Sequence, residues 1–203
     1  MRVIAGAFKG RQLKTPAWDG LRPTSDKLRE TLFNILAPRI QGARVLDGYA
    51  GTGAVGIEAL SRGAAHVLSV EHDRRAVALM TANFAACAGS ATGGTGGGQG
   101  YTIEASDVVA ALRRLPDPAG PGAGPGAGPG AGPGAGFDLI LLDPPYDIEN
   151  THDVLDAAAA RLAPDGLLVL ERATRREPDV PAAVERVRDV KSGDSTLTFF
   201  RRR

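Results

Sequence analysis

Cysteine is nearly absent from this 203-residue chain. Cys87 stands alone, which excludes an intramolecular disulfide and any cysteine-built metal cluster. Histidine is scarce as well, and His66, His72 and His152 fall at no spacing that suits a metal, so none is expected. No apolar run approaches membrane-spanning length, and Met1-Arg2-Val3-Ile4-Ala5-Gly6 lacks the long apolar core of a secretion signal. A soluble, cytoplasmic protein is the expectation. Net charge is also close to absent, with 24 Lys/Arg against 23 Asp/Glu.

The charge is unevenly spread. Residues 1–30 carry seven Lys/Arg against three acids, a balance of +4 that leaves −3 for the rest. Such asymmetry points to a polyanion met by the amino end, through Lys9, Arg11, Lys14, Arg22 and Arg29. A solvated basic face is the plainer alternative.

The most informative stretch is Asp143-Pro144-Pro145-Tyr146, which ends the apolar run that starts at Phe137. A buried strand closing in these residues places a carboxylate, two rigid carbonyls and an aromatic ring at the carboxyl edge of a sheet, where open α/β folds bind ligands. The set suits an amine conjugated to a planar ring. Asp143 and the Pro144 carbonyl each accept an N–H and aim the nitrogen lone pair, Pro144 and Pro145 donate nothing, and Tyr146 stacks on the ring. A strand followed by a rigid turn would look the same without chemistry.

The chain is long enough for one domain with a sizeable core. Residues 2–8 and 11–15 read as a basic hairpin, and Thr24 or Ser25 caps a helix that stops before Pro38. The division expected is an extension over residues 1–38 and a main domain over 39–203. From residue 43 strands alternate with helices, the pattern of a mostly parallel sheet covered on both faces. Strands are expected at 44–47, 65–71, 101–105, 137–143 and 166–171, with a closing antiparallel pair at 185–191 and 195–201. Helices are expected from Gly53 to near Gly63, at 74–88, to Leu115 and over 150–162. Residues 90–100 are glycine-rich and read as a mobile loop. Residues 121–136 are four copies of Pro-Gly-Ala-Gly, so the 120–136 segment is expected to be a disordered insertion.

Asp47-Gly48-Tyr49-Ala50-Gly51-Thr52-Gly53 is a second constellation. Gly51 and Gly53 allow close backbone approach to a ligand, and the helix that follows presents free N–H groups. Gly51 to Gly56 also satisfies a dinucleotide fingerprint, which alone is weak. Asp47 is awkward beside a pyrophosphate and suits the cationic amino-acid part of S-adenosylmethionine. Glu71 then fits the ribose hydroxyls, Asp107 accepts from the adenine amine, and Tyr49 lies within the same turn. An activated methyl group needs in-line alignment with the acceptor and no strong base or metal.

Together these segments resemble the bacterial 16S rRNA (guanine(966)-N(2))-methyltransferases. The resemblance rests on Met1 to Gly6, Lys9-Gly10-Arg11, Arg22-Pro23-Thr24, Arg29-Glu30, Phe33-Asn34, Leu46-Asp47, Ala50 to Gly53, Glu58 to Gly63, Val70-Glu71 with Asp73, and Asp143 to Tyr146. It implies a Rossmann-like class I methyltransferase fold with a seven-stranded sheet and an antiparallel last strand. It further implies S-adenosylmethionine as cofactor and a guanine N2 of small-subunit rRNA as acceptor, with the 30S particle as partner; apart from the resemblance, a monomer is the expectation. Gly48-Tyr49 and the Pro-Gly-Ala-Gly segment depart from the family pattern. The competing readings are methylation of a DNA adenine or cytosine or of a glutamine amide, a nicotinamide-dependent oxidoreductase, and a non-catalytic RNA-binding assembly factor.

Overall fold

The structure is a computed structural model that describes residues 1–18, 25–89, 100–116, 118, 136–145 and 150–203. Arg22, Thr24, Tyr146, the 90–99 loop and nearly all of the repeat segment lie outside the described residues.

Helix α1 runs from Asp26 to Ile40 and is capped by Ser25, whose Oγ accepts the Leu28 N–H at 3.2 Å. Leu28, Leu32, Phe33, Leu36 and Ile40 form its buried stripe. The helix passes through Pro38 instead of stopping before it. Proline removes only one donor in the last turn, while Ile40 is seated in the core and Gly42 closes the end by donating to the Gly63 carbonyl at 2.8 Å.

The alternating elements follow in order: β1 Arg44–Gly48, α2 Ala54–Ser61, β2 His66–Glu71, α3 Arg74–Ala88, β3 Gly100–Ala105, α4 Val108–Arg114, β4 Phe137–Leu142, α5 Thr151–Ala159, β5 Leu162–Ala173, β6 Val184–Ser192 and β7 Ser195–Arg202. They form one seven-stranded sheet in the order β3-β2-β1-β4-β5-β7-β6. Strands β1 to β5 are parallel, and β7 runs antiparallel to both of its neighbours. The last strand is therefore the reversed one, as the sequence predicts.

Period-two alternation sends Val45, Val67, Leu139, Leu141 and Val169 into one core, beneath α1, α2 and α3. Leu46, Leu68, Ile140, Leu142 and Leu168 enter a second core under α4 and α5. Both faces are covered, which is why the central strands read as continuous apolar runs.

Two boundaries differ from expectation at the junction of α5 and β5. The helix ends at Ala159, and β5 begins at Leu162, which pairs with Phe137. The Phe137 N–H donates to the Arg161 carbonyl at 2.8 Å, so pairing to β4 captures the residues that helix periodicity would have kept. The register then shifts, and Gly166 crosses the shift where a Cβ would lie 2.8 Å from the Phe137 carbonyl oxygen.

The amino-terminal hairpin is shorter than expected. Its pairing is confined to an isolated bridge between Arg2 and Gln12 and flanking bonds such as Val3 N–H to the Arg11 carbonyl at 3.0 Å. Its first arm instead spends its donors on α2. Ile4 and Ala5 donate to the Glu58 carboxylate at 2.8 and 3.0 Å, Ala7 to the Ser61 carbonyl at 2.7 Å, and Phe8 to Ser61 Oγ at 2.9 Å. Gly6, at φ +82°, passes so close to the Ser61 carbonyl that any Cβ would overlap it. Val3 and Leu13 share the core of α1 and β1.

Candidate active site at the carboxyl edge of the sheet

The strand order reverses between β1 and β4, and the crevice at such a point is where open α/β sheets hold ligands. Both constellations read from the sequence meet there. Backbone contact joins them directly, since the Asp143 N–H donates to the Gly48 carbonyl at 3.3 Å.

The turn after β1 is tightly specified. Tyr49 has φ 63°, uncommon for a side chain of its size and a mark of a backbone held by its surroundings. Gly53, at φ +76°, starts α2 where a Cβ would lie 2.8 Å from both Met80 and Phe84. Asp47 is only 3% exposed, and its carboxylate accepts the Gly56 N–H at 2.9 Å. Burial is the main reason its pKa rises to about 7; the Gly56 bond opposes the rise, and the charges of Asp143 and Glu71 add to it.

Glu71 binds the turn from β2. One oxygen accepts Gly51 N–H at 3.0 Å, and the other accepts His72 and Asp73 N–H at 2.8 and 2.9 Å. A carboxylate has about four lone-pair sites, so the oxygen facing Gly51 retains capacity for one more donor. Asp107 caps α4 by accepting the Ala110 N–H at 2.9 Å, as an ordinary strand-end acid would. Its charge also reaches Tyr49, whose hydroxyl pKa is pushed up first by burial and then by Asp107. Asp47, Tyr49, Gly51, Gly53, Glu71 and Asp107 thus occupy one edge.

On the β4 side, Asp143 is half-buried and Pro144 buried, while Pro145 is exposed. Pro144 and Pro145 line a cleft with Leu170, Glu171, Arg172 and Arg176. Tyr146 is outside the described residues.

Among the basic residues, Lys9, Arg11 and Lys14 are exposed on the amino-terminal arm. Arg11 is also tied down, with its guanidinium donating to the Ala86 and Cys87 carbonyls at the end of α3. Arg29 corrects the expectation of an exposed cation. It is 0% exposed, donates to the Arg2 carbonyl at 2.6 Å and to Asp26 at 2.9 Å, and lies 3.8 Å from Glu58, which is also fully buried. Its place on the buried stripe with Leu32, Phe33 and Leu36 makes it a structural ion rather than a surface contact. Arg22 is not among the described residues.

Two residues escaped the sequence reading. Glu58, on α2, holds the arm as described. Asn83, on α3, has a side-chain amide that accepts Lys14 N–H at 2.8 Å and donates to the carbonyls of Lys14 and Thr52 at 3.1 and 3.0 Å. The signal was available, because Asn83 interrupts the buried stripe of Ala76, Met80, Phe84 and Cys87.

The strand order, the reversed β7 and the glycine turn define a Rossmann-like class I methyltransferase fold. The chain belongs to the family described as Conserved hypothetical protein 95, which matches residues 1–95 and 129–201. It is 34% identical over 186 residues to the Bacillus subtilis protein YlbH, named as an rRNA methyltransferase, covering 91% of this chain and 88% of that one. It is 51% identical over 85 residues to the Escherichia coli ribosomal RNA small subunit methyltransferase D, covering 42% of this chain and 43% of that one. Among solved structures, the Escherichia coli methyltransferase yhhF superposes with a TM-score of 0.77 at 27% identity, covering 100% of this chain and 97% of that one.

Proposed function

We propose that this chain is an S-adenosylmethionine-dependent rRNA methyltransferase, and that its acceptor is the exocyclic N2 of a guanine in small-subunit rRNA within the 30S particle. The observation that carries the reading is the direct join of the acceptor loop to the glycine turn, Asp143 N–H to Gly48 carbonyl. It brings Asp143 up to the glycine turn, which supports reading Asp143 as the carboxylate that orients an amine beside a nucleoside site. The names of the relatives supply the RNA class.

The residues present fit the cofactor. Asp47 is a buried carboxylate whose ionisation is costly without a cation, and the cofactor's amino-acid part brings one. The spare capacity on Glu71 suits a ribose hydroxyl, and Asp107 has a second oxygen beyond its capping one for the adenine amine. When bound, the cofactor supplies a methyl group already activated on a sulfonium. The protein's task is then to aim the acceptor. Asp143 and the Pro144 carbonyl take the two N–H bonds of the guanine amine and turn its lone pair toward the methyl carbon. A loop guanine is the cheapest substrate for such a site, since it can be splayed out without breaking a duplex. Lys9 and Lys14 meet the RNA backbone.

The test is transfer of labelled methyl from S-adenosylmethionine to 30S particles lacking the modification, with naked rRNA and duplex DNA in parallel, followed by nucleoside analysis. Label in N2-methylguanosine from particles is the expected result. Label only in DNA, or in another nucleoside, would overturn the acceptor assignment and leave the methyltransferase reading in place.

A further inference from the structure

The cleft beside the acceptor loop has two walls. Pro144 and Pro145 line one of them and are stiff by their own rings. The other is the segment after β5, through Ala173, Arg176, Glu177 and Pro178. Residues 174–178 lie outside every strand and helix, and irregular backbone keeps one shape only where its polar groups have set partners.

We propose that Arg172 is a positioning residue for methyl transfer, its buried guanidinium holding the second wall and with it the seat of the acceptor. The inference rests on the reading of Asp143-Pro144 as the loop that takes the amine. Arg172 is the penultimate residue of β5 and 7% exposed. Its Nη1 donates to the Arg176 carbonyl at 2.7 Å and lies 3.4 Å from the carbonyls of Ala173 and Thr174. The chain therefore turns around the cation, and the Arg176 N–H closes that turn on the Ala173 carbonyl at 3.0 Å. The other two nitrogens tie the turn to the sheet. Nη2 pairs with Glu177 at 3.1 Å and with Asp189 at 3.2 Å, and Nε donates to Thr198 Oγ1 at 2.9 Å. Asp189 and Thr198 are opposite each other in the β6–β7 ladder, so one side chain on β5 refers the wall to all three closing strands.

Charge balance alone does not explain these contacts. Arg186 pairs with the same two acids, Glu177 at 2.9 Å and Asp189, from a more exposed position. Its partners among the described residues are those carboxylates, whereas Arg172 adds the carbonyls of the cleft wall. Donors in three directions of one plane serve three kinds of acceptor, which the single nitrogen of a lysine cannot reproduce. A reacting pair displaced by about 1 Å loses on the order of 10²-fold in rate, so a slack wall costs turnover even where the acceptor still binds.

The experiment measures methyl transfer to 30S particles lacking the modification by wild type, Arg172→Lys and Arg186→Lys, with cofactor affinity by calorimetry beside it. Arg172→Lys should lower kcat about 10²-fold, with particle KM and the cofactor dissociation constant within about three-fold of wild type. Arg186→Lys disturbs the same acids but only an exposed pairing, and should keep kcat within about two-fold. A kcat that falls alike in both variants or in neither, or one whose fall is matched by lost cofactor affinity, makes Arg172 a structural ion only and overturns the assignment. Hydrogen exchange on the wild-type protein needs no variant to fold: the Arg176 amide is expected to be protected, and exchange at the rate of an open chain overturns the assignment too. Label in a nucleoside other than N2-methylguanosine overturns the guanine reading alone, since the ratio of the two variants is read on whichever amine accepts the methyl group.

Discussion

The two halves of the sheet edge solve opposite problems. On the β1–β3 side the carboxylates are met by backbone donors: Asp47 by Gly56, Glu71 by Gly51, His72 and Asp73, and Asp107 by Ala110. On the β4–β5 side the chain offers acceptors, since Pro144 and Pro145 have no N–H, beside an open cleft. The first half is held in shape by the chain's own donors. The second contains two residues whose backbone can only accept, which suits a group that arrives with donors. A site that transfers a methyl group to an amine needs both, one half for holding and one for aiming.

The largest effect should come from the aiming half. Asp143→Ala is expected to reduce methyl transfer at least ~10³-fold while the cofactor dissociation constant stays within about three-fold, measured by single-turnover kinetics and calorimetry. Equal loss of both would erase the division between the halves.

Asp47→Asn tests the holding half and has a pH signature. The folded protein raises the Asp47 pKa from 3.8 to about 7, so this acid favours the fold below its unfolded pKa and loses that contribution as pH rises toward 7. Without cofactor, the Asn variant should therefore be the more stable protein at pH 8, by up to about 4 kcal/mol, with the advantage gone by pH 4. Cofactor affinity should fall about 10²-fold at pH 8. Thermal melts at the two pH values check the first statement and titration the second; a variant less stable at pH 8 would contradict the buried-charge account.

Arg29 and the arm lysines form a smaller contrast. Arg29→Met takes away one of the two cations beside buried Glu58, which keeps Arg62 at 2.8 Å, and leaves the Arg2 carbonyl without its donor; it should cost about 3 kcal/mol of stability, read by denaturant unfolding, with no change in the salt dependence of particle binding. Lys9→Ala with Lys14→Ala should do the reverse, leaving stability alone and lowering the slope of log affinity against log salt by about one per residue. If the Arg29 variant changed the slope and the lysine pair did not, the buried and exposed roles would have to be exchanged.

What the sequence made legible follows from how local each signal is. Helix α3 runs over Arg74–Ala88, the bounds its pattern predicts, because an Asp73 cap, an apolar stripe and Gly89 all lie within the segment itself. The central strands were legible because burial on both faces leaves runs with no alternation. The carboxyl-edge site was legible as two clusters, since topology brings parallel strand ends together. Arg29 was misread because two of the groups that hold it inside, the Arg2 carbonyl and Glu58, are 27 and 29 positions away and on other elements. The shortened hairpin has the same cause: α2 competes for its donors, and no local pattern announces a competitor. Asn83 needed both failings repaired at once, as its partners lie on the arm and in the glycine turn.

That single amide has a practical consequence for anyone trimming or grafting the protein. A cut after residue 38 looks natural on a sequence map, yet Lys14 and Thr52 hang from the same side chain, and Ile4 and Ala5 hang from the helix that the glycine turn begins. The amino-terminal segment cannot be lifted away as a transferable RNA-binding tag, because its removal would take Lys14 from Asn83 and Ile4, Ala5 and Arg29 from Glu58, leaving them with Thr52 and Arg62 alone. An affinity handle is better fused at the other end, where Arg203 is exposed.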